Sequence, residues 1–211
     1  MEYKVYRERN QHLVPKKIKI PSKKVASVTA LARAIHDLGE LGDPVLQDHV
    51  TPFLIHPNPI LRYEALSTLG HHWMLPQYRA QFEEMMRSDS DEDVRRIAAS
   101  CLGLVLKGTR DKAAAQHLIA KLRDENEDGY VREGAYDALL DIWAPESEAA
   151  KSRHGDLQTA AWEELYEKVQ RARERGEDSS QLLEAWDKLW MRWVDWHLVD
   201  KIDKESQLDK A

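Results

Sequence analysis

The chain has 211 residues, 32% of them charged and 42% apolar, with a formal net charge of -6. That balance suits a soluble helical protein, since no stretch approaches the roughly 18 apolar residues of a membrane span and the N-terminus shows no apolar h-region of a secretory signal. Cys101 is the single cysteine, which excludes an intrachain disulfide and a Cys-rich zinc site and fits a reducing, cytoplasmic setting.

The charge is unevenly spread. Residues 1–25 hold eight Lys/Arg against two Glu, whereas residues 26–144 hold 12 against 19 and residues 145–211 hold 11 against 16. A basic arm therefore precedes an acidic body. Sustained phosphate contact needs cations concentrated on a face, and only the arm has that excess.

In chain order, residues 1–22 show no clean period and are broken by Pro15 and Pro21, so they read as an extended basic arm. Helical spacing begins near Ser22, with Ala26, Leu31, Ala34, Ile35 and Leu38 on one face. Gly39 and Gly42 are expected to stop this helix. Asp43-Pro44 starts another by the cap-then-proline device, carrying Val45, Leu46, Val50 and Leu54 inward. Asn58-Pro59 repeats the device and opens a helix running to about Met74. A second unit pairs about 77–87 with about 91–106, and a third pairs about 111–123 with about 128–143. A polar linker over 145–156 leads to two long helices, about 157–175 and 180–200. The tail from 202 to 211 is polar and expected to fray.

Three stretches in this walk repeat one another. Leu61 to Gly70, Val94 to Gly103 and Val131 to Leu140 each read aliphatic-Arg-x-x-Ala-x-x-x-Leu, with Arg62, Arg95 and Arg132, then Ala65, Ala98 and Ala135, then Leu69, Leu102 and Leu139. Self-similarity at this period marks a helical solenoid, because one short unit cannot bury its apolar face without a stacked copy.

These stretches resemble HEAT repeats over about residues 24–144. The resemblance implies an all-α, right-handed α-solenoid of about three HEAT-like helix pairs spanning 23–144. Two long helices over 157–201 would close its exposed end. It also implies a ladder between neighbouring units, in which Arg62, Arg95 and Arg132 meet link acids four residues before each Arg. Those acids are Asp91 and Asp128, with Asn58 in the first link. The position of the arginines within the repeat favours this brace over a positive stripe that grips an acidic partner.

Five of the seven tryptophans lie after residue 160. Trp186, Trp190, Trp193 and His197 fall on one helix face, which suits a cap over a solenoid end better than a partner surface. Trp196 lies off that stripe and is the expected exposed aromatic.

Catalytic signals are weak. His71 and His72 lack a His or carboxylate four residues away, as a helical metal pair would need. One HEAT-repeat enzyme type, deoxyhypusine hydroxylase, holds two irons on paired His-Glu motifs, and this sequence has no His-Glu dipeptide. Cys101 falls in the apolar register. No Gly-x-Ser-x-Gly elbow or phosphate-cradling glycine loop is present. The acidic runs at 89–93 and 124–128 are accounted for by helix capping.

The sequence therefore points to a non-catalytic protein-binding module without cofactor or metal, acting as an adaptor, scaffold or inhibitor of the immunity-protein kind. Its partner would be another protein, with a basic one favoured by the acidic body. The expected contact residues are the outward positions of the second helices, Tyr63, Ser67, Arg96, Ser100, Glu133 and Asp137, together with Trp196. The alternatives are a nucleic-acid-binding protein similar to the HEAT-like alkylpurine DNA glycosylases, disfavoured by the acidic body, and an accessory or lyase-like protein similar to the chromophore lyases.

Overall fold

The computed structural model describes residues 27–152 and 160–207. The basic arm over residues 1–22 and the last residues of the tail lie outside them. The chain divides into two compact units, Met1–Val105 and Leu106–Ala211. Among the described residues, both consist of helices and turns, so the fold class is the all-α repeat solenoid expected from the sequence.

In the first unit, α1 (Val28–Leu41) starts at Ser27, whose hydroxyl accepts from the Ala30 amide at 3.2 Å. Leu31, Ala34, Ile35 and Leu38 form its buried face. Gly39 does not stop this helix. It is buried inside it, and Gly42, with φ of 63°, closes the turn by donating its N–H to the Gly39 carbonyl.

The next segment departs from the single helix expected over about 44–54. Here α2 (Gln47–Val50) is a single turn between 3-10 turns at Pro44–Leu46 and Thr51–Phe53. Pro52 offers no N–H to a continuing ladder, which breaks the regular helix. Val45, expected to face inward, is 81% exposed, while Val50, Phe53 and Leu54 are buried.

Asn58 caps α3 (Pro59–Leu66), its Oδ1 accepting from the Ile60 amide at 3.0 Å. The helix then widens into a π-helical stretch, Ser67–His72, where a plain helix to Met74 was expected. Its wide turns end with Trp73 N donating to Thr68 O and Leu75 N donating to Leu69 O. The buried Thr68 hydroxyl donates to Ile35 O at 3.1 Å. Gly70 lies against Cys101 so closely that a Cβ there would stand 2.3 Å from the Cys101 sulfur. Gly39 gives similar clearance on the other side, since its Cβ would stand 2.9 Å from the His72 ring.

A 3-10 turn at Pro76–Tyr78 leads into α4 (Arg79–Ser88), followed by α5 (Glu92–Val105). Helix α3 packs on α1 and on α5, and α4 packs on α5. Ala65 and Ala98 are fully buried, as are Leu61, Leu69, Val94 and Leu102, so small residues bring the second helices together while the leucines fill the core. Each buried Leu contributes about 1.5–3 kcal/mol.

In the second unit, α6 (Lys112–Arg123) and α7 (Gly129–Trp143) are capped by Asp111 and Asp128 and pack as a pair. A short α8 (Glu148–Ser152) follows within the expected linker. Then come α9 (Ala160–Glu174) and α10 (Ser180–Trp190). The second long C-terminal helix is not continuous. A 3-10 turn at Met191–Trp193 interrupts it, Val194 is extended, and α11 runs from Trp196 to Gln207, through residues expected to fray. Asp195 supplies the restart, its carboxylate accepting from the Leu198 amide at 3.0 Å.

These last helices cover the α6–α7 pair, α11 packing on α6 and α10 on α7. Val199 and Ile202 are fully buried. Arg123 pairs with Asp200 and Asp203, and the Trp143 indole N–H donates to Glu205 at 3.3 Å. The break after Trp190 splits the tryptophan stripe. Trp190 is buried, Trp193 is 43% exposed, and Trp196 is only partly exposed. Among the described side chains, Trp193 is therefore more exposed than Trp196, because a continuous helix was needed to place them as expected.

Candidate partner-binding face

In the first unit, both second helices begin with a built cap. Asn58 and Pro59 fix the first turn of α3. Asp91 fixes that of α5, its Oδ1 accepting from the Val94 amide at 3.1 Å. Between the two turns lies a groove of about 220 Å³ lined by Pro59, Ile60, Tyr63, Asp91 and Asp93. Its apolar wall is open to solvent, with Ile60 53% exposed.

The links under this groove are braced by arginine. Arg62 donates from Nε and Nη2 to the two oxygens of Asp89, at 2.8 and 2.6 Å, and from Nη1 to the carbonyls of His56 and Pro57. Asp89 also accepts from the Asp91 amide, and Arg95 Nη1 donates to the Asp89 carbonyl at 2.7 Å. The fork-to-fork pairing with Asp89 raises the Arg62 pKa, burial working against it.

Two rungs, those of Arg62 and Arg132, close on acids other than the expected ones. Asp91 and Asp128 are helix caps. The carboxylate of Arg62 is Asp89, and that of Arg132 is Asp187 on α10. The acid immediately before a helix start is taken up by the free N–H groups of that first turn, which leaves Asp89, two residues before Asp91, to meet Arg62.

Tyr63 on α3 and Ser67, the first residue of the π-helical stretch that follows it, are one turn apart, and Arg96 and Ser100 are one turn apart on α5. Tyr63 is partly buried, and burial raises its pKa. Arg96 opposes the rise, while Asp93 and Glu64 add to it. The phenol is therefore neutral, and it lies near enough to Arg96 and Asp93 to feel both. Arg96 faces Asp93 at 3.6 Å, with both side chains open to solvent. The structure brings these four expected contact residues onto one pair of packed helices. Glu133 and Asp137, partly buried on α7, and Trp196, at the start of α11, belong to the second unit.

A group that the sequence reading missed lies on the other side of α3. His36 and Glu40, one turn apart on α1, face Glu64 and His72. His36 Nδ1 is 3.8 Å from Glu64, His72 Nδ1 is 3.4 Å from Glu40, and the two rings meet edge to face at 5.6 Å. The visible signal was the four-residue spacing of His36 and Glu40. Burial lowers the pKa of His72, with Glu40 opposing and His36 assisting, and raises that of Glu64. Among the described residues, no group of three or more His, Cys, Asp or Glu side chains is arranged to hold a metal ion. Cys101 is fully buried, and desolvation pushes its thiol far above the usual range, which makes it a packing residue.

No helix among the described residues is long and apolar enough to cross a membrane. A family model described as HEAT repeats matches residues 26–103 and 48–140. A search of curated proteins found no match to the chain.

Proposed function

This chain belongs to the HEAT-repeat family, and on that premise we propose that it is a non-catalytic protein-binding module, an adaptor, scaffold or inhibitor. HEAT repeats generally mediate protein–protein interaction. In the first unit the partner lies along the outward face of α3 and α5, over Tyr63, Ser67, Arg96 and Ser100.

The observation that carries this reading is the groove at the head of that face. Its helices are capped, its links are held by Arg62 and Asp89, and its walls combine an exposed isoleucine with two carboxylates. A surface already ordered in the free protein loses little conformational entropy on binding. Asp91 and Asp93 favour a basic partner and speed its capture. Glu133, Asp137 and Trp196 extend the proposal to the second unit.

The test is affinity capture from the native organism's lysate, with and without nuclease, using the wild-type chain and Ser67→Arg and Ser100→Arg variants. The reading expects a protein retained in near-equal amount, resistant to nuclease and lost from both variants. Retention that vanishes with nuclease, or that both variants preserve, overturns it.

A further inference from the structure

We propose that the groove between the first turns of α3 and α5 seats one arginine side chain of a partner protein. The inference rests on the protein-binding reading above and names what that face takes hold of. The groove offers three things an arginine uses together. Pro59 and Ile60 give an apolar wall for its methylene stem. Tyr63 gives an aromatic ring on which a guanidinium stacks. Asp91 and Asp93 give carboxylates for its planar donors. The chemistry fits a guanidinium better than an ammonium, because stacking and forked donation are both available only to the planar group.

Charge complementarity is already written into the site by the chain itself. Arg96 approaches Asp93 at 3.6 Å, with 44% of the arginine side chain and 66% of the aspartate side chain exposed. A pair that loose and that wet holds itself together weakly, so an incoming arginine exchanges with Arg96 at small cost. Arg96 is thus the resident counterion of Asp93 in the free protein. Asp91 is held in place by its cap to the Val94 amide and stays where it is when the guest arrives. The brace of Arg62 on Asp89 fixes the link that carries Asp91.

The experiment is a nuclear magnetic resonance titration of the full chain, following the Ile60 methyl groups and the Tyr63 ring. The probes are acetyl-Gly-Arg-Gly-amide and its lysine counterpart. The proposal expects a saturable shift at Ile60 and Tyr63 with a dissociation constant in the millimolar range, as suits a single exposed contact. It also expects weaker binding of the lysine peptide. Asp93→Asn weakens arginine binding about threefold or more, and Arg96→Gln tightens it by a similar factor, in line with one exposed ion pair lost or freed. Failure to saturate, equal response to lysine, or an unchanged response in Asp93→Asn overturns the proposal.

The two readings fail separately. A captured partner lost from Ser67→Arg but bound normally by Asp93→Asn removes the arginine seat and leaves the binding module standing. A partner indifferent to Ser67→Arg and Ser100→Arg removes the binding module itself.

Discussion

Arg132 and Asp187 join α7 to α10 through a guanidinium that is almost wholly buried. Arg132 Nη1 donates to both oxygens of Asp187, at 2.9 and 3.2 Å, while its Nε donates to the Leu122 carbonyl at 3.0 Å. The Trp190 indole N–H donates to the same carboxylate at 3.0 Å, and its ring lies 5.9 Å from the guanidinium. Gly129 leaves room for this carboxylate, since a Cβ there would stand 3.1 Å from Asp187. Removing one partner of such a pair strands the other. Arg132→Ala is expected to destabilise the chain by about 3 kcal/mol, the lower end for a buried pair because Asp187 keeps some solvent. Asp187→Asn keeps an acceptor but leaves the buried guanidinium without its counter-charge, and is expected to cost a similar amount, about 3 kcal/mol. Urea unfolding of both single variants and the double variant gives the coupling; additivity would refute the pairing.

Gly70→Ala is expected to destabilise the first unit by about 3 kcal/mol, the upper end for overpacking. The new methyl would stand 2.3 Å from the Cys101 sulfur and 2.4 Å from its Cβ. Cys101→Ala therefore does not rescue it, because the Cβ remains. Cys101→Gly recovers part of the loss, less about 1 kcal/mol for a glycine inside a helix. Thermal unfolding of the four proteins checks the order.

Stability is expected to fall as pH drops below about 6.5, the ordinary histidine value. Burial holds His71 and His72 below that value in the folded chain. Between the folded and unfolded pKa values the unfolded chain binds more protons, so this contribution is complete above the unfolded value and is lost as pH falls toward the folded one. Glu64 has the opposite sign. Its raised pKa means that the folded chain binds more protons just above the ordinary glutamate value, so its contribution is present at lower pH and is lost as pH rises through that window. Urea midpoints between pH 5 and 7.5 should rise with pH, and His72→Gln should flatten the slope. An unchanged slope contradicts the assignment.

Tryptophans four residues apart or fewer are expected to differ sharply. Trp190→Ala costs about 3–5 kcal/mol, as for a buried aromatic. Trp193→Ser, which removes a ring that is 43% exposed, costs less, about 1–2 kcal/mol. Chemical denaturation of the two variants separates them, and equal losses would restore the continuous tryptophan stripe.

Much of the fold was legible because the repeat writes its own core. The aliphatic, alanine and leucine positions of Leu61–Leu69, Val94–Leu102 and Val131–Leu139 are the buried ones, and Asn58-Pro59 announces a helix start that the structure keeps. What was not legible depends on partners distant in sequence. Gly39 and Gly70 look like helix breakers, yet each is required by a neighbour, His72 or Cys101, that approaches from another helix. The same holds for the π-helical stretch, where Thr68 reaches across to Ile35. Arg62 and Arg132 were readable as braces, but their carboxylates were not, since capping claims Asp91 and Asp128 and leaves Asp89 and Asp187 to pair. On the proposed face, periodicity places Tyr63, Ser67, Arg96 and Ser100 outward. The groove beside them needed the relative height of two helix starts, which no single helix encodes.

The measurement that tests the central claim most directly is backbone hydrogen exchange of the chain, free and bound to its captured protein partner. The account predicts added protection over residues 60–67 and 93–100, where α3 and α5 present their outward face. Protection confined to other parts of the chain, with these two stretches unchanged, would contradict it.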